Sequence, residues 1–262
     1  RRAAQGTAPR KTPRRPPDRV RDRRRGQRIR RKPLAITLYE LAAADPDRRF
    51  SPFCWRIRLS LEHKGLAFEG RPWRFTEKDA LAFSGSDKVP VLVEDGRAIA
   101  ESSVIAAHLE AAHPDRPSLF GGGAGVALTR LHVAWTDQVL HPALVPLLLL
   151  DIHRHLAEAD RRYFRESREA RFGKPLEAVC PDPEAQLASF RRTLSPVRAV
   201  LRAQAFLGGE RPLYADFAVM GAFLWARGVS ALALLEAYDP VEAWRRRMLD
   251  RLGEGSRALV AG

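Results

Sequence analysis

A switch in hydrophobic period divides this sequence and limits it to few architectures. Upstream of Gly121-Gly122-Gly123-Ala124-Gly125, apolar residues fall in short runs separated by turn residues; downstream they recur every three or four positions. The upstream part reads in order. Leu34 to Leu41 is a strand, and a loop through Asp45-Pro46-Asp47 leads to an amphipathic helix from Ser51 that ends at His63-Lys64-Gly65. Ala67 to Trp73 is a second strand. Phe75 to Lys88 is mixed, with a helical signal over Glu77 to Phe83 and turn chemistry at Ser84-Gly85-Ser86-Asp87. Val89 to Glu94 and Arg97 to Ala100 flank Asp95-Gly96, a two-residue hairpin signal, and a helix follows from Ser102 to His113.

The resulting order, βαβαββα, is that of an α/β thioredoxin-like domain over residues 34–113. Residues 114–125 read as a linker. The glycine run is no phosphate loop, because neither Gly-Lys-Ser/Thr nor a G-x-G-x-x-G pattern accompanies it. Residues 126–262 read as an all-α helical bundle domain in which Leu187, Phe190, Leu194, Val197 and Leu201 form one packing face.

Charge separates the chain differently. The net charge is +14, but residues 1–32 hold thirteen Arg, two Lys and two Asp, a net of +13, leaving the body at +1. Residues 1–33 are also Pro-rich and poor in large apolar groups, so they are expected to form a disordered basic tail. Any nucleic-acid or anionic-surface contact is expected through this tail alone; the competing reading is a dispensable extension or an over-extended reading frame. The longest apolar run, Ala143 to Leu150, is interrupted by Pro146 and too short to span a bilayer, so no membrane partner is expected. Two cysteines, Cys54 and Cys180, cannot make a disulfide framework, which fits a reducing, cytoplasmic setting. His153 and His155 lie two apart and would point to different helix faces, and no metal site is expected.

Three short motifs carry the chemistry. Ser51-Pro52-Phe53-Cys54-Trp55-Arg56 starts a helix with a preferred N-cap and a Pro at the first position. Free N–H groups there give a partial positive charge that suits a thiolate, although capping alone also accounts for Ser-Pro. Val89-Pro90 opens a strand and Glu101-Ser102 opens a helix. A hydrolase is not indicated, since the sequence holds no G-x-S-x-G elbow. Cys54, inside the helix beside Trp55, reads as a buried apolar residue rather than a nucleophile.

Taken with Ile36-Thr37-Leu38-Tyr39, His63-Lys64-Gly65, the run from Pro72 to Lys78 and Tyr214-Ala215-Asp216-Phe217, these motifs resemble the bacterial glutathione transferases related to lignin β-etherases. The likeness spans roughly residues 34–250. It implies an enzyme that uses glutathione as co-substrate. Ser51, the catalytic residue, would donate a hydrogen bond to the glutathione sulfur. Phe53 would line the tripeptide site, and Val89, turned outward by a cis bond to Pro90, would pair with the cysteinyl backbone. Glu101 would hold the γ-glutamyl ammonium, with Ser102 receiving its carboxylate and Lys88 the glycyl carboxylate. The partner would be a small hydrophobic electrophile, an aryl ether or a halide, with Trp73, Phe75, Trp135 and Tyr163 as candidates for its pocket. A homodimer is implied too. The alternative is a catalytically silent glutathione-binding or interaction module that uses the tail as a tether. The chain departs from the family at Leu213, where Ser or Thr is usual; without that hydroxyl Asp216 must cap its helix alone.

Overall fold

The computed structural model describes residues 36–260, so the basic tail lies outside the described residues. Four strands, β1 (Ile36–Leu41), β2 (Phe68–Trp73), β3 (Val91–Glu94) and β4 (Arg97–Ala100), form one sheet in the order β2-β1-β3-β4. β1 and β2 run parallel, and β3 is antiparallel to both β1 and β4. This is the expected thioredoxin-like arrangement. β1 and β2 need a crossover, supplied by α1 (Pro52–His63), whereas β3 and β4 need only a hairpin. Asp95 (φ 52°) and Gly96 (φ 76°) both take the positive φ that such a two-residue turn requires. β3 starts two residues later than the sequence suggests, since Pro90 has no N–H to donate to a ladder. The helical signal over Glu77 to Phe83 resolves as a 3₁₀ helix, Lys78–Ser84, which buries Leu81 alone.

After α2 (Ser102–Ala112) the chain is helical: α3 (Gly123–Trp135), α4 (His141–His155), α5 (Glu158–Phe172), α6 (Pro183–Thr193), α7 (Ser195–Ala203), α8 (Tyr214–Val229), α9 (Pro240–Leu249) and α10 (Glu254–Val260). The glycine run corrects the expected linker, because α3 already begins at Gly123. Gly121 and Gly122 supply positive φ for the turn, and a Cβ on Gly125 would sit 1.7 Å from the Phe120 carbonyl oxygen. The linker therefore ends at Gly122.

A π turn, Thr136–Leu140, joins α3 to α4, so helix continues for 33 residues from Gly123 to His155. That run is long and apolar enough to cross a bilayer, a correction to the expectation drawn from Ala143 to Leu150. Its Leu140, Leu144, Leu148, Leu149 and Ile152 are nevertheless buried in the protein core.

The centre of the molecule is α8, buried along nearly its whole length. It packs closely, at two glycines, on α1 and the chain just before it: a Cβ on Gly221 would lie 2.5 Å from the Pro52 carbonyl oxygen, and one on Gly228 would lie 2.8 Å from that of Arg49. These contacts hold the chain on both sides of Ser51. Leu213 offers no side-chain acceptor, so Asp216 caps α8 alone by accepting from the Leu213 N–H at 3.0 Å. The same carboxylate accepts from the Leu207 and Gly208 N–H groups and from Trp244 Nε1 at 2.7, 2.9 and 2.8 Å. One buried carboxylate thus fixes the preceding loop and α9 as well as the helix start.

A buried charge cluster ties β1 to α1. Glu40, at 1% exposure, takes a bidentate pair from Arg58 (Nε to Oε1 2.9 Å, with Nη2 on Oε2), and Arg49 Nε lies 3.7 Å away. Such a pair survives burial only when its polar atoms find partners. Gly70 on β2 lies directly over it, where a Cβ would approach Arg58 Nη2 and come within 2.6 Å of Glu40 Oε2.

Candidate functional site

Sheet topology gathers the three motifs at one end of the strands. β1 runs out through Leu41 toward Ser51, and its Tyr39 pairs with Val91, the residue after Pro90. Val91 in turn pairs with Ala100, next to Glu101. Residues some fifty positions apart in sequence therefore converge because β3 is antiparallel to both its neighbours.

Ser51 is the N-cap of α1, in extended conformation (φ −92°, ψ 122°), and its Oγ accepts from the Cys54 N–H at 3.3 Å. That bond uses a lone pair. The Ser51 hydroxyl faces the Cys54 sulfur, which it stabilises in its charged form, and Pro52 contributes no N–H, so the first turn keeps the uncapped Phe53 N–H as a further donor. Ser51 lines a cleft of about 390 Å³ with Phe53, Lys88 and Val89. The Val89–Pro90 bond is cis, and the Val89 N–H and C=O have no backbone partner among the described residues. Pro90, Glu101 and Ser102 stand outside the cleft wall. Glu101 is exposed and holds a positive φ of 69° for a non-glycine residue. Ser102 is buried, and its carbonyl accepts from the Tyr214 hydroxyl at 3.0 Å, which ties the start of α2 to α8.

Cys54 is 1% exposed, and burial pushes its thiol up to about 12, with nearby Glu40 adding to the rise. A thiol held protonated at neutral pH is no nucleophile.

The rest of the cleft comes from the helical part. Trp73, Phe75 and Tyr163 line it as expected, whereas Trp135 does not. The π turn brings Asp137 and His141 to the wall, side by side at 3.5 Å. Arg56, fully buried, makes a bidentate pair with Asp137 (2.6 and 3.4 Å) and bridges α1 to that turn. Burial lowers the His141 pKa to about 4, the Arg56 charge adds to the shift and Asp137 opposes it. Sequence reasoning missed Asp137, His141, Arg168 and Arg171. Spacing of three and four along helices was their only signal, and helical spacing is shared with every core residue.

Residues 50–112 match the glutathione S-transferase N-terminal domain model and residues 127–253 the glutathione S-transferase C-terminal domain model. A probable glutathione S-transferase, GSTU1, of Oryza sativa subsp. indica is 36% identical over 97 residues, 34% of this chain and 42% of that protein. The glutathione S-transferase-like protein ustS of Aspergillus flavus is 29% identical over 177 residues, 62% of this chain and 58% of that protein. The chain thus spans about half the length of the curated relatives it matches. Among solved structures, the glutathione S-transferase CsGST63524 of Ceriporiopsis subvermispora, in complex with glutathione, superposes with a TM-score of 0.70 at 22% identity, covering 86% of this chain and 97% of that one.

Proposed function

Because the chain belongs to the glutathione S-transferase family, whose two domain models together match most of it, we propose that it ionises glutathione at Ser51 and directs the thiolate at an electrophilic carbon. The observation that carries this reading is the Ser51 hydroxyl, set at the start of α1 on the cleft wall. A hydroxyl donor and a helix N-terminus both favour a thiolate over a free thiol of pKa about 8.5. The thiol proton leaves to solvent, sulfur bonds to carbon, and the carbon's leaving group, halide or aryloxide, departs with the electron pair.

Around that sulfur, the unpaired Val89 N–H and C=O would bind the cysteinyl backbone in strand fashion, beside Pro90 and under Phe53. Glu101 and Ser102 would take the γ-glutamyl end and Lys88 the glycyl carboxylate. β-Etherase-type cleavage is one form of this chemistry, supported by the aromatic cleft wall. Exposed Val104 on α2 and Leu128 and Leu131 on α3, between 54% and 67% accessible, support a homodimer. The unpaired cysteines support a cytoplasmic setting.

Replacing Ser51 tests the reading. Ser51→Ala removes an N-cap and is expected to cost about 1 kcal/mol of stability whatever the function. The decisive quantity is the pKa of bound glutathione, followed by thiolate absorbance against pH. It is expected below the free value in the wild type and to rise toward it in Ser51→Ala, with loss of turnover. An unshifted thiol and retained turnover in the alanine variant would reduce Ser51 to a cap. Glutathione binding with no turnover of any electrophile would identify a silent binding module.

A further inference from the structure

The charges of the cleft do not balance. Its two carboxylates are already engaged: Asp137 by Arg56 and Asp87 by Lys78 at 3.5 Å. Its cations are not. Arg168 and Arg171, one turn apart on α5, line the cleft, and neither has a carboxylate within ion-pair distance among the described residues. Arg168 donates to the neutral Ser167 Oγ at 3.0 Å and lies against two rings, 4.7 Å from the Phe164 centroid and 5.5 Å from that of Phe75. Burial pushes its pKa down, Tyr163 opposes the shift and the charge of Arg171 adds to it. The half-buried Arg168 charge, with the exposed Arg171 charge beside it, would gain from an anion that joins the two. Phe75 also sits 6.1 Å from Phe50, the neighbour of Ser51, and 5.8 Å from Tyr163, so aromatic surface runs from the thiol site to the arginines.

We propose that the electrophile taken by this cleft is an aromatic compound carrying a carboxylate or similar anionic group, its ring against Phe75 and Tyr163 and its charge on Arg168 and Arg171. A planar guanidinium stacked on a ring is already oriented to receive a carboxylate side-on. The identification of the ligand as an electrophile rests on the glutathione reading. The reaction is unchanged: the C–S bond forms as the bond to the leaving group breaks, and no oxidant or reductant enters.

Binding and turnover are measured separately on the full chain. Unreactive 3,5-dinitrobenzoate and its neutral counterpart 1,3-dinitrobenzene are titrated by quenching of tryptophan fluorescence, since Trp73 and Trp225 line the cleft. The carboxylate is expected to bind about tenfold more tightly at low ionic strength, a ratio that shrinks with salt. In Arg168→Met and in the more exposed Arg171→Gln the ratio should fall toward one, and Arg168→Lys should restore part of it. With glutathione present, 4-chloro-3,5-dinitrobenzoate should outpace 1-chloro-2,4-dinitrobenzene in kcat/KM by a similar factor. Equal affinity of the two unreactive compounds overturns the proposal. So does a rise in glutathione KM in the arginine variants with the binding ratio intact, which would give the arginines to the tripeptide. Preferential binding of the carboxylate without turnover of either chloride would uphold the anionic subsite and count against the transferase reading.

Discussion

At Glu101 the demands of the fold and of the proposed glutathione site pull in opposite directions. Its backbone, at φ 69° and ψ 122°, lies where a side chain is strained, at a cost on the order of 1–3 kcal/mol. Its side chain makes no capping bond to α2 in return. Glu101→Gly is therefore expected to stabilise the protein by about 1 kcal/mol in denaturant unfolding, the strain relieved less glycine's extra entropy. The same change should abolish the proposed contact to the γ-glutamyl ammonium. Glu101→Gln, which keeps the strain and loses the charge, should weaken glutathione binding by about 1.5–3 kcal/mol in calorimetric titration. An unchanged dissociation constant in both variants would remove Glu101 from the site.

Among elements, the contact between α1 and α8 decides whether Ser51 stands where chemistry needs it. Gly221 touches the backbone of Pro52, not a movable side chain, so no rotamer change can admit a methyl group there. Alanine is normally the better helix former by about 1 kcal/mol. Here the sign should reverse: Gly221→Ala is expected to destabilise by about 1–3 kcal/mol as α8 is pushed off α1. Because the strain falls on the residue after Ser51, glutathione affinity should fall with the melting temperature. Stabilisation by Gly221→Ala would show that the two helices are not in contact at this point.

For the molecule as a whole, acid stability follows from His141. Its folded pKa, about 4, lies below its ordinary 6.5, so between these values the unfolded chain binds the proton that the folded one refuses. Stability is then fully present above pH 6.5 and is lost as pH falls toward 4, by about 3 kcal/mol from this group. His141→Gln should flatten that part of the curve of unfolding free energy against pH. A slope identical to the wild type would mean that His141 titrates normally. At the other end of the chain, residues 1–32 hold a net +13 of the total +14. Their deletion should leave melting temperature and glutathione affinity unchanged while removing retention on a polyanion column. A lower melting temperature in the truncated protein would show that the tail contributes to the fold.

Local chemistry was legible in the sequence wherever one residue type answers one backbone demand. Ser51-Pro52 announces a helix start, Asp95-Gly96 a tight hairpin, and Asp216 below Leu213 a lone cap; each appears in the structure as read. The change of period near residue 125 likewise separates sheet from helices, because side chains alternate along a strand and repeat every 3.6 residues along a helix. What the sequence could not decide is which residues meet across the packing. The glycine run looked like a linker because sequence does not reveal that Gly125 must pass under the Phe120 carbonyl. Trp135 looked as good a pocket residue as Tyr163, and only the docking of α5 beside Phe75 selects between them. Asp137, His141, Arg168 and Arg171 face the cleft through a π turn and a helix crossing that depend on the whole core. Backbone preferences act within a few residues and are written locally, whereas a cleft is the space left between elements once all have packed.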